Sequence, residues 1–320
     1  MKALCFDHFG GPRVLQYRDL PDPTRSTGQV LVRTRAIGLN FADIYRRRGN
    51  YHLTGQPPFI AGYEASGEVA AVDAGSAFCA GQRVAFADSS HANAEFVAVP
   101  EDKLIPLPDD IAFELAAALL LQGLTAQYLC RDSHPLRAGE TALVHAAAGG
   151  VGLLLVQIAK LLGARVIGVT SSARKREAAL SAGADAVALY AEDWPTAARE
   201  FSGGRGVDVA FDAVGSTLLR TFDAVRIGGH VVFYGMAGGD PPSIDPRMLM
   251  DTSKSLTGGD LWNVLTNPTE RRTRSAELFE WIRSGKLHVE ISARYPLAEG
   301  AAAHEFLESR NALGKVLLIP

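Results

Sequence analysis

The sequence predicts an α/β protein of two domains, one β-rich and one built on a doubly wound parallel sheet. Three observations carry this. At 320 residues the chain exceeds the roughly 250 at which a single hydrophobic core stops growing. Residues 1–118 read as short strands punctuated by glycine, proline and aspartate. From about residue 119, strands and helices alternate strictly.

Strands are expected at 2–6, 14–18, 30–37, 67–72, 83–87 and 94–99, with turns such as Gly10-Gly11-Pro12 and Pro21-Asp22-Pro23 between them, which makes a partly closed β-domain. Near Glu114 the text turns rich in alanine and leucine and predicts helices at 114–121 and 125–131. Strands at 141–146, 165–170, 186–189, 207–212 and 230–234 then alternate with helices at 151–162, 174–182 and 217–226. Units of that length specify a parallel sheet covered by helices on both faces. A tail of helix 275–284, strand 288–295, helix 298–309 and strand 315–319 is too short to bury a core of its own and is expected to return to the β-rich domain. The expected division is therefore 1–118 with 258–320, and 119–257 inserted between them.

With 32 basic and 35 acidic residues interspersed, the net charge of -3 leaves no basic stripe, so nucleic-acid binding is not predicted. The cluster Arg46-Arg47-Arg48 reads as a solvated face. Cys5, Cys79 and Cys130 form no CxxC pair and fit free thiols in a reducing cytoplasm. The first residues lack a secretory core, and no apolar run reaches the roughly 18 residues of a bilayer span, so no membrane association is expected. Histidines 8, 52, 91, 134, 145, 230, 288 and 304 are scattered, none at ligand spacing from a cysteine or another histidine, and no metal is expected. No Ser-His-Asp set, paired acid/base carboxylates or P-loop points to hydrolysis or phosphoryl transfer.

The strongest chemical signal is the run from His145 through Ala146, Ala147, Ala148, Gly149, Gly150 and Val151 to Gly152, placed between an apolar strand and a helix. Glycines in a dinucleotide fingerprint permit a tight turn, close approach of the pyrophosphate and close helix–strand packing, and the helix N-terminus offers N–H groups to the phosphates. Ala147 stands where the first glycine would be. The end of the second strand chooses the coenzyme. A carboxylate there would hold the ribose hydroxyls of NAD, but the chain reads Thr170-Ser171-Ser172-Ala173-Arg174-Lys175-Arg176, which suits the 2′-phosphate of NADPH. Plain exposure in a first helical turn explains Arg176 better than Lys175.

Taken together, the opening Lys2-Ala3, the run Gly38-Leu39-Asn40-Phe41-Ala42-Asp43-Ile44-Tyr45, Gly62-Tyr63-Glu64-Ala65-Ser66-Gly67, Gln122-Gly123-Leu124-Thr125-Ala126, the loop 147–152 and the ending Leu317-Leu318-Ile319-Pro320 resemble the quinone oxidoreductase branch of the medium-chain dehydrogenase/reductase superfamily, the group that includes zeta-crystallin. The resemblance implies a GroES-like catalytic domain, a Rossmann-type domain and a homodimer paired through the latter. Zinc-bearing relatives place cysteine at Asn40 and histidine at Tyr63, and carry a four-cysteine lobe missing here. The resemblance further implies that Lys175, Tyr190 and Arg310 hold the 2′-phosphate, that Asn40, Asp43, Tyr45 and Tyr51 line the cleft with Thr125 beyond a turn, and that backbone at Val214 and Gly235 fixes the carboxamide. Gln122 stands where bacterial relatives often carry lysine.

Hydride transfer is the coenzyme's chemistry, and the protein has to place it and exclude water. A quinone needs little beyond hydrogen-bond donors for the oxyanion it becomes. Asn40 and Tyr45 are the expected donors, with Asp43 orienting them or simply capping a helix. Reduction of an activated C=C bond in a 2-alkenal, enone or enoyl thioester is the second reading. A non-catalytic NADPH-binding structural or sensor protein is the third.

Overall fold

The computed structural model describes residues 1–53 and 55–320. It divides into two compact units, one of Met1–Leu121, Leu265–Glu280 and Val289–Pro320, the other of Gln122–Val264 and Trp281–His288. The chain begins with β1 (Lys2–Phe6), β2 (Gln16–Asp19), β3 (Gln29–Leu39), α1 (Phe41–Arg48), β4 (Phe59–Ile60), β5 (Ala65–Ala71), β6 (Arg83–Phe86), β7 (Phe96–Pro100) and β8 (Ile105–Pro106). Next come α2 (Phe113–Tyr128), β9 (Thr141–His145), α3 (Gly150–Leu161), β10 (Arg165–Thr170), α4 (Ala173–Ser181), β11 (Ala186–Leu189) and α5 (Trp194–Phe201). β12 (Val207–Asp212), α6 (Leu218–Ala224), β13 (Val225–Phe233), α7 (Pro246–Thr252) and β14 (Ser255–Gly258) follow. The chain closes with α8 (Pro268–Arg283), β15 (Ile291–Pro296), α9 (Gly300–Glu308) and β16 (Lys315–Ile319).

In the first unit the eleven-residue β3 is the spine, pairing antiparallel with β5, β7 and β16. Alternation along β3, shifted by one residue at the irregularity between Thr34 and Ala36, buries Val30 and Val32 and then Ile37 and Leu39 in one core with Phe6, Phe86, Val316 and Leu318. The register sets Val316 opposite Leu39, which brings the last strand beside the residue that opens α1. This pairing joins the two ends of the sequence at one place.

In the second unit six parallel strands run in the order β11-β10-β9-β12-β13-β14. All residues of β9 and β12 are buried, as strands covered on both faces must be. Chain order reverses at β9, so the crevice beyond the ends of β9 and β12 is where such sheets bind ligands.

Several expectations change. The two helices expected at 114–121 and 125–131 are one, so Gly123 lies inside α2 and Thr125 follows no turn. A lone glycine costs a helix about 1 kcal/mol against alanine, too little to break one that buries Leu119, Leu120 and Leu124. With the wider turn Leu129–Ser133 the helical run Phe113–Ser133 is 21 residues long with mean hydropathy 1.2, so a helix of membrane-spanning length and composition does exist, though most of it is buried inside the protein. α1, α5 and α7 were not expected, because seven or eight residues carry too few turns for a clear period, and neither was the four-residue strand β14. Arg46 and Arg47 are not surface residues; they are 3% and 0% exposed.

Candidate functional site

At the head of α1 lies a buried polar cluster. Glu64 and Lys315 are both 0% exposed, with Nζ 2.5 Å from Glu64 Oε2 and 2.9 Å from Asn40 Oδ1. Asn40 Nδ2 donates to Glu64 Oε2 at 2.9 Å and to the Gly38 carbonyl at 3.3 Å, while the other Glu64 oxygen accepts from the Leu121 N–H at 2.7 Å. Gly38 is required for this approach, since a Cβ there would fall 2.4 Å from Glu64 Oε2 and 2.3 Å from the Ala117 carbonyl. Asp43 Oδ2 accepts from the Asn40 N–H at 2.9 Å, one half of the capping box at the head of α1, and Oδ1 accepts from Arg46 at 3.2 Å. Burial pushes the Asp43 carboxyl above its ordinary range, against the pull of Arg46, the Asn40 N–H and Lys315.

Asn40 was expected to donate to an oxyanion; here its Nδ2 group donates inward, to Glu64 and Gly38. Tyr45, half-buried, meets Tyr51 edge-on at 6.1 Å, and the Arg46 guanidinium lies 3.4 Å from the Tyr63 ring centroid and 5.0 Å from that of Tyr51. Arg47 reaches the Gly10 carbonyl, His304 and Glu308. The arginine cluster is therefore an internal clamp. Local sequence could not reveal it, because His304 and Glu308 lie more than 250 residues away.

In the second unit the nucleotide loop has the expected context. Ala146 takes left-handed φ 48°, its carbonyl accepts from the Gly149 N–H at 2.8 Å, and Gly149 caps α3. Gly150 and Val151 open α3, and a Cβ on Gly152 would fall 2.2 Å from the Ala146 carbonyl, the close helix–strand contact that only glycine permits. Ala147 fits in place of a glycine because Gly168 on β10 makes room: a Cβ on Gly168 would lie 2.8 Å from that of Ala147. The signal for Gly168 was available, since an isolated glycine inside a β-branched strand marks a close approach. Gln122 and Thr125, on α2, are each 8% exposed, and a Cβ on Gly150 would strike the Gln122 amide.

At the end of β10, Thr170 is 1% exposed and its hydroxyl has no hydrogen-bond partner among the described residues. Ser171 is exposed, and Ser172 caps α4 by accepting from the Lys175 N–H at 3.4 Å. Arg176 is paired with Glu192 at 2.6 Å, whereas Lys175 is half-buried in the same first turn. Val214 donates its N–H to Asp212, and Gly235 follows β13 close to the Ala213 carbonyl. Arg310, exposed at φ 60°, follows α9 in the other unit. His145, Asp212 and Thr221 were not anticipated; they form a buried chain that ends on the Tyr190 hydroxyl.

The donor set around Asn40 does not fit zinc, because it already contains the Lys315 ammonium at hydrogen-bond distance from two of its oxygens. Among the described residues no three His, Cys, Asp or Glu side chains group as metal ligands. Two histidines that are distant in sequence do meet: His134 and His230 approach to 3.0 Å between Nδ1 atoms, a pairing that linear spacing could not show.

Two families match: residues 26–109 as an alcohol dehydrogenase GroES-like domain and residues 150–277 as a zinc-binding dehydrogenase. Together they define the class, a medium-chain dehydrogenase/reductase. The quinone oxidoreductase of Pseudomonas aeruginosa is 40% identical over 100% of this chain and 99% of its own. The 2-haloacrylate reductase of Burkholderia sp. is 36% identical over 97% and 96%. Among solved structures, Escherichia coli quinone oxidoreductase complexed with NADPH superposes with TM-score 0.97 at 38% identity, covering 100% of both chains. The chain belongs to the zeta-crystallin-like quinone oxidoreductase branch of the medium-chain dehydrogenase/reductase superfamily.

Proposed function

We propose that this chain is an NADPH-dependent quinone reductase that works without a metal. The observation that carries the coenzyme is the end of β10, where Lys175 follows three hydroxyl residues and the stretch 169–176 holds no carboxylate to repel a 2′-phosphate. In the second unit the N–H groups at the head of α3 receive the pyrophosphate, Lys175 takes the 2′-phosphate, and backbone at Val214 and Gly235 orients the carboxamide. Arg310 is assigned to the 2′-phosphate on family resemblance. NADPH supplies the hydride. In the first unit the Tyr45 hydroxyl donates to the acceptor's developing oxyanion, and Tyr51 packs beside it. Metal independence is supported by the Lys315 ammonium, which neutralises Glu64 and satisfies Asn40 where a dehydrogenase zinc would need anionic or imidazole ligands. A homodimer paired through the nucleotide-binding unit and a cytoplasmic setting, in keeping with three free cysteines, belong to the same proposal.

Reduction of an activated C=C bond is the second reading, favoured by the likeness to a 2-haloacrylate reductase. The test follows NADPH oxidation with 1,4-benzoquinone, 9,10-phenanthrenequinone, a 2-alkenal and crotonyl-CoA in parallel, with and without prior chelation. Turnover of the quinones, unaffected by chelation, is expected. Turnover of the alkenes alone establishes the second reading, and tight NADPH binding with no turnover a non-catalytic role. Activity lost to chelator and restored by zinc defeats metal independence.

A further inference from the structure

Away from the nucleotide loop, two imidazoles of the second unit face one another. His134, just after the turn Leu129–Ser133, and His230, on β13, bring their Nδ1 atoms to 3.0 Å, with the ring planes inclined by 66°. Each outer nitrogen already meets an acceptor. His134 Nε2 lies 3.2 Å from Glu140 Oε2, and His230 Nε2 lies 2.6 Å from the Thr257 hydroxyl oxygen. Glu140 is itself fixed, because the same Oε2 accepts from the Arg137 N–H at 2.8 Å. The side chains of His134 and Glu140 are 16% and 22% exposed, so a hydrated ion can reach them.

We propose that His134 and His230 form a two-histidine site for a divalent cation that favours imidazole, such as zinc, nickel or copper, and that the bound ion ties the end of the α2 helical run to the sheet. Two nitrogens on a tetrahedral zinc lie about 3.3 Å apart, each roughly 2.0–2.1 Å from the metal, so these rings have to part by only a few tenths of an ångström. A cation between the Nδ1 atoms needs both lone pairs, which puts the single hydrogen of each neutral ring on Nε2. Glu140 and Thr257 stand there to accept it. A carboxylate behind a ligand histidine orients the ring and raises its basicity. Magnesium and calcium take oxygen ligands and do not suit this pair. Among the described residues no third His, Cys, Asp or Glu completes the set, so water fills the remaining positions. The site stands apart from the reaction. Val209 on β12 pairs with both His230 and Ala142, which sets His230 level with the second residue of β9. The nucleotide loop opens at Ala146, about 13 Å further along that strand. The ion therefore acts on stability rather than on coenzyme binding, and the metal-free reading of the reaction stands or falls separately.

The experiment titrates zinc calorimetrically into untagged, chelator-treated protein carrying Cys79→Ser, since that exposed thiol is another group zinc would seek. Saturable uptake of one equivalent is expected. His134→Gln and His230→Gln, which keep hydrogen-bonding capacity in place, should each raise the dissociation constant at least tenfold, and Glu140→Gln about tenfold, as loss of an outer carboxylate does. All three tryptophans lie in this unit, so the denaturation midpoint read by their fluorescence should rise with zinc in the parent and not in either histidine variant. Anomalous scattering from a zinc-soaked crystal should place the ion between the two Nδ1 atoms, with the dissociation constant for NADPH unchanged. No saturable uptake, undiminished uptake in both histidine variants, magnesium bound as tightly as zinc, or displacement of NADPH by zinc overturns the proposal.

Discussion

Replacing Lys315 by methionine keeps the length of the side chain and removes its charge from a site where neither Lys315 nor Glu64 is exposed. Glu64 then keeps two donors, the Leu121 N–H at 2.7 Å and Asn40 Nδ2 at 2.9 Å, and Asn40 Oδ1 loses its bond from Nζ. Breaking a buried ion pair from one side costs about 3–5 kcal/mol. The two surviving donors bring the expectation to the lower end, about 3 kcal/mol, equivalent to roughly a hundredfold in an opening equilibrium. Guanidinium unfolding followed by far-UV circular dichroism measures it. Tryptophan fluorescence alone is a poor reporter, since Trp194, Trp262 and Trp281 all lie in the other unit. Amide exchange at Leu121 and along α1 should accelerate by the same hundredfold. Adding Glu64→Gln to Lys315→Met removes the stranded charge and should recover about 2 kcal/mol. A cost below about 1 kcal/mol for the single variant, or no recovery in the pair, would refute the view that an ammonium neutralises this carboxylate in place of a metal.

Gly168→Ala should loosen the nucleotide loop, because the new Cβ meets that of Ala147 at 2.8 Å; overpacking of this kind costs about 1–3 kcal/mol, and NADPH affinity should fall at least several-fold. Exchanging the two, Ala147→Gly with Gly168→Ala, should restore binding in a fluorescence titration, and failure to do so would disprove the claim that these positions share one space. His304, fully buried beside Arg47, has its pKa lowered to about 3 by burial and that guanidinium. The unfolded chain takes up a proton near the usual 6.5 and the folded chain does not, so this contribution to stability is intact above pH 6.5. It is lost at about 1.4 kcal/mol per unit as pH falls toward 3. His304→Leu should flatten the denaturation midpoint between pH 7 and 5 relative to the parent, and equal slopes would count against the assignment. Lys175→Ala should raise the dissociation constant for NADPH at least tenfold more than that for NADH, as a lost charge-assisted contact requires.

The sequence by itself determined the class of fold and singled out the loop proposed for the nucleotide, because both rest on local signals. Strand and helix periodicities alternate over residues 141–233, and a glycine loop between an apolar strand and a helix has few other uses. Family resemblance placed Asn40 and Tyr63 where zinc-bearing relatives carry cysteine and histidine. Tertiary structure decided what those residues do instead. Asn40, Glu64 and Lys315 meet only because β16 pairs with β3, and burial turns three ordinary polar residues into one electrostatic unit. Arg46 and Arg47 read as solvent-facing because a run of three cations repels itself locally, yet Asp43, His304 and Glu308 draw them inside. Ala147 weakens the fingerprint in sequence, and Gly168 on the next strand compensates for it in space.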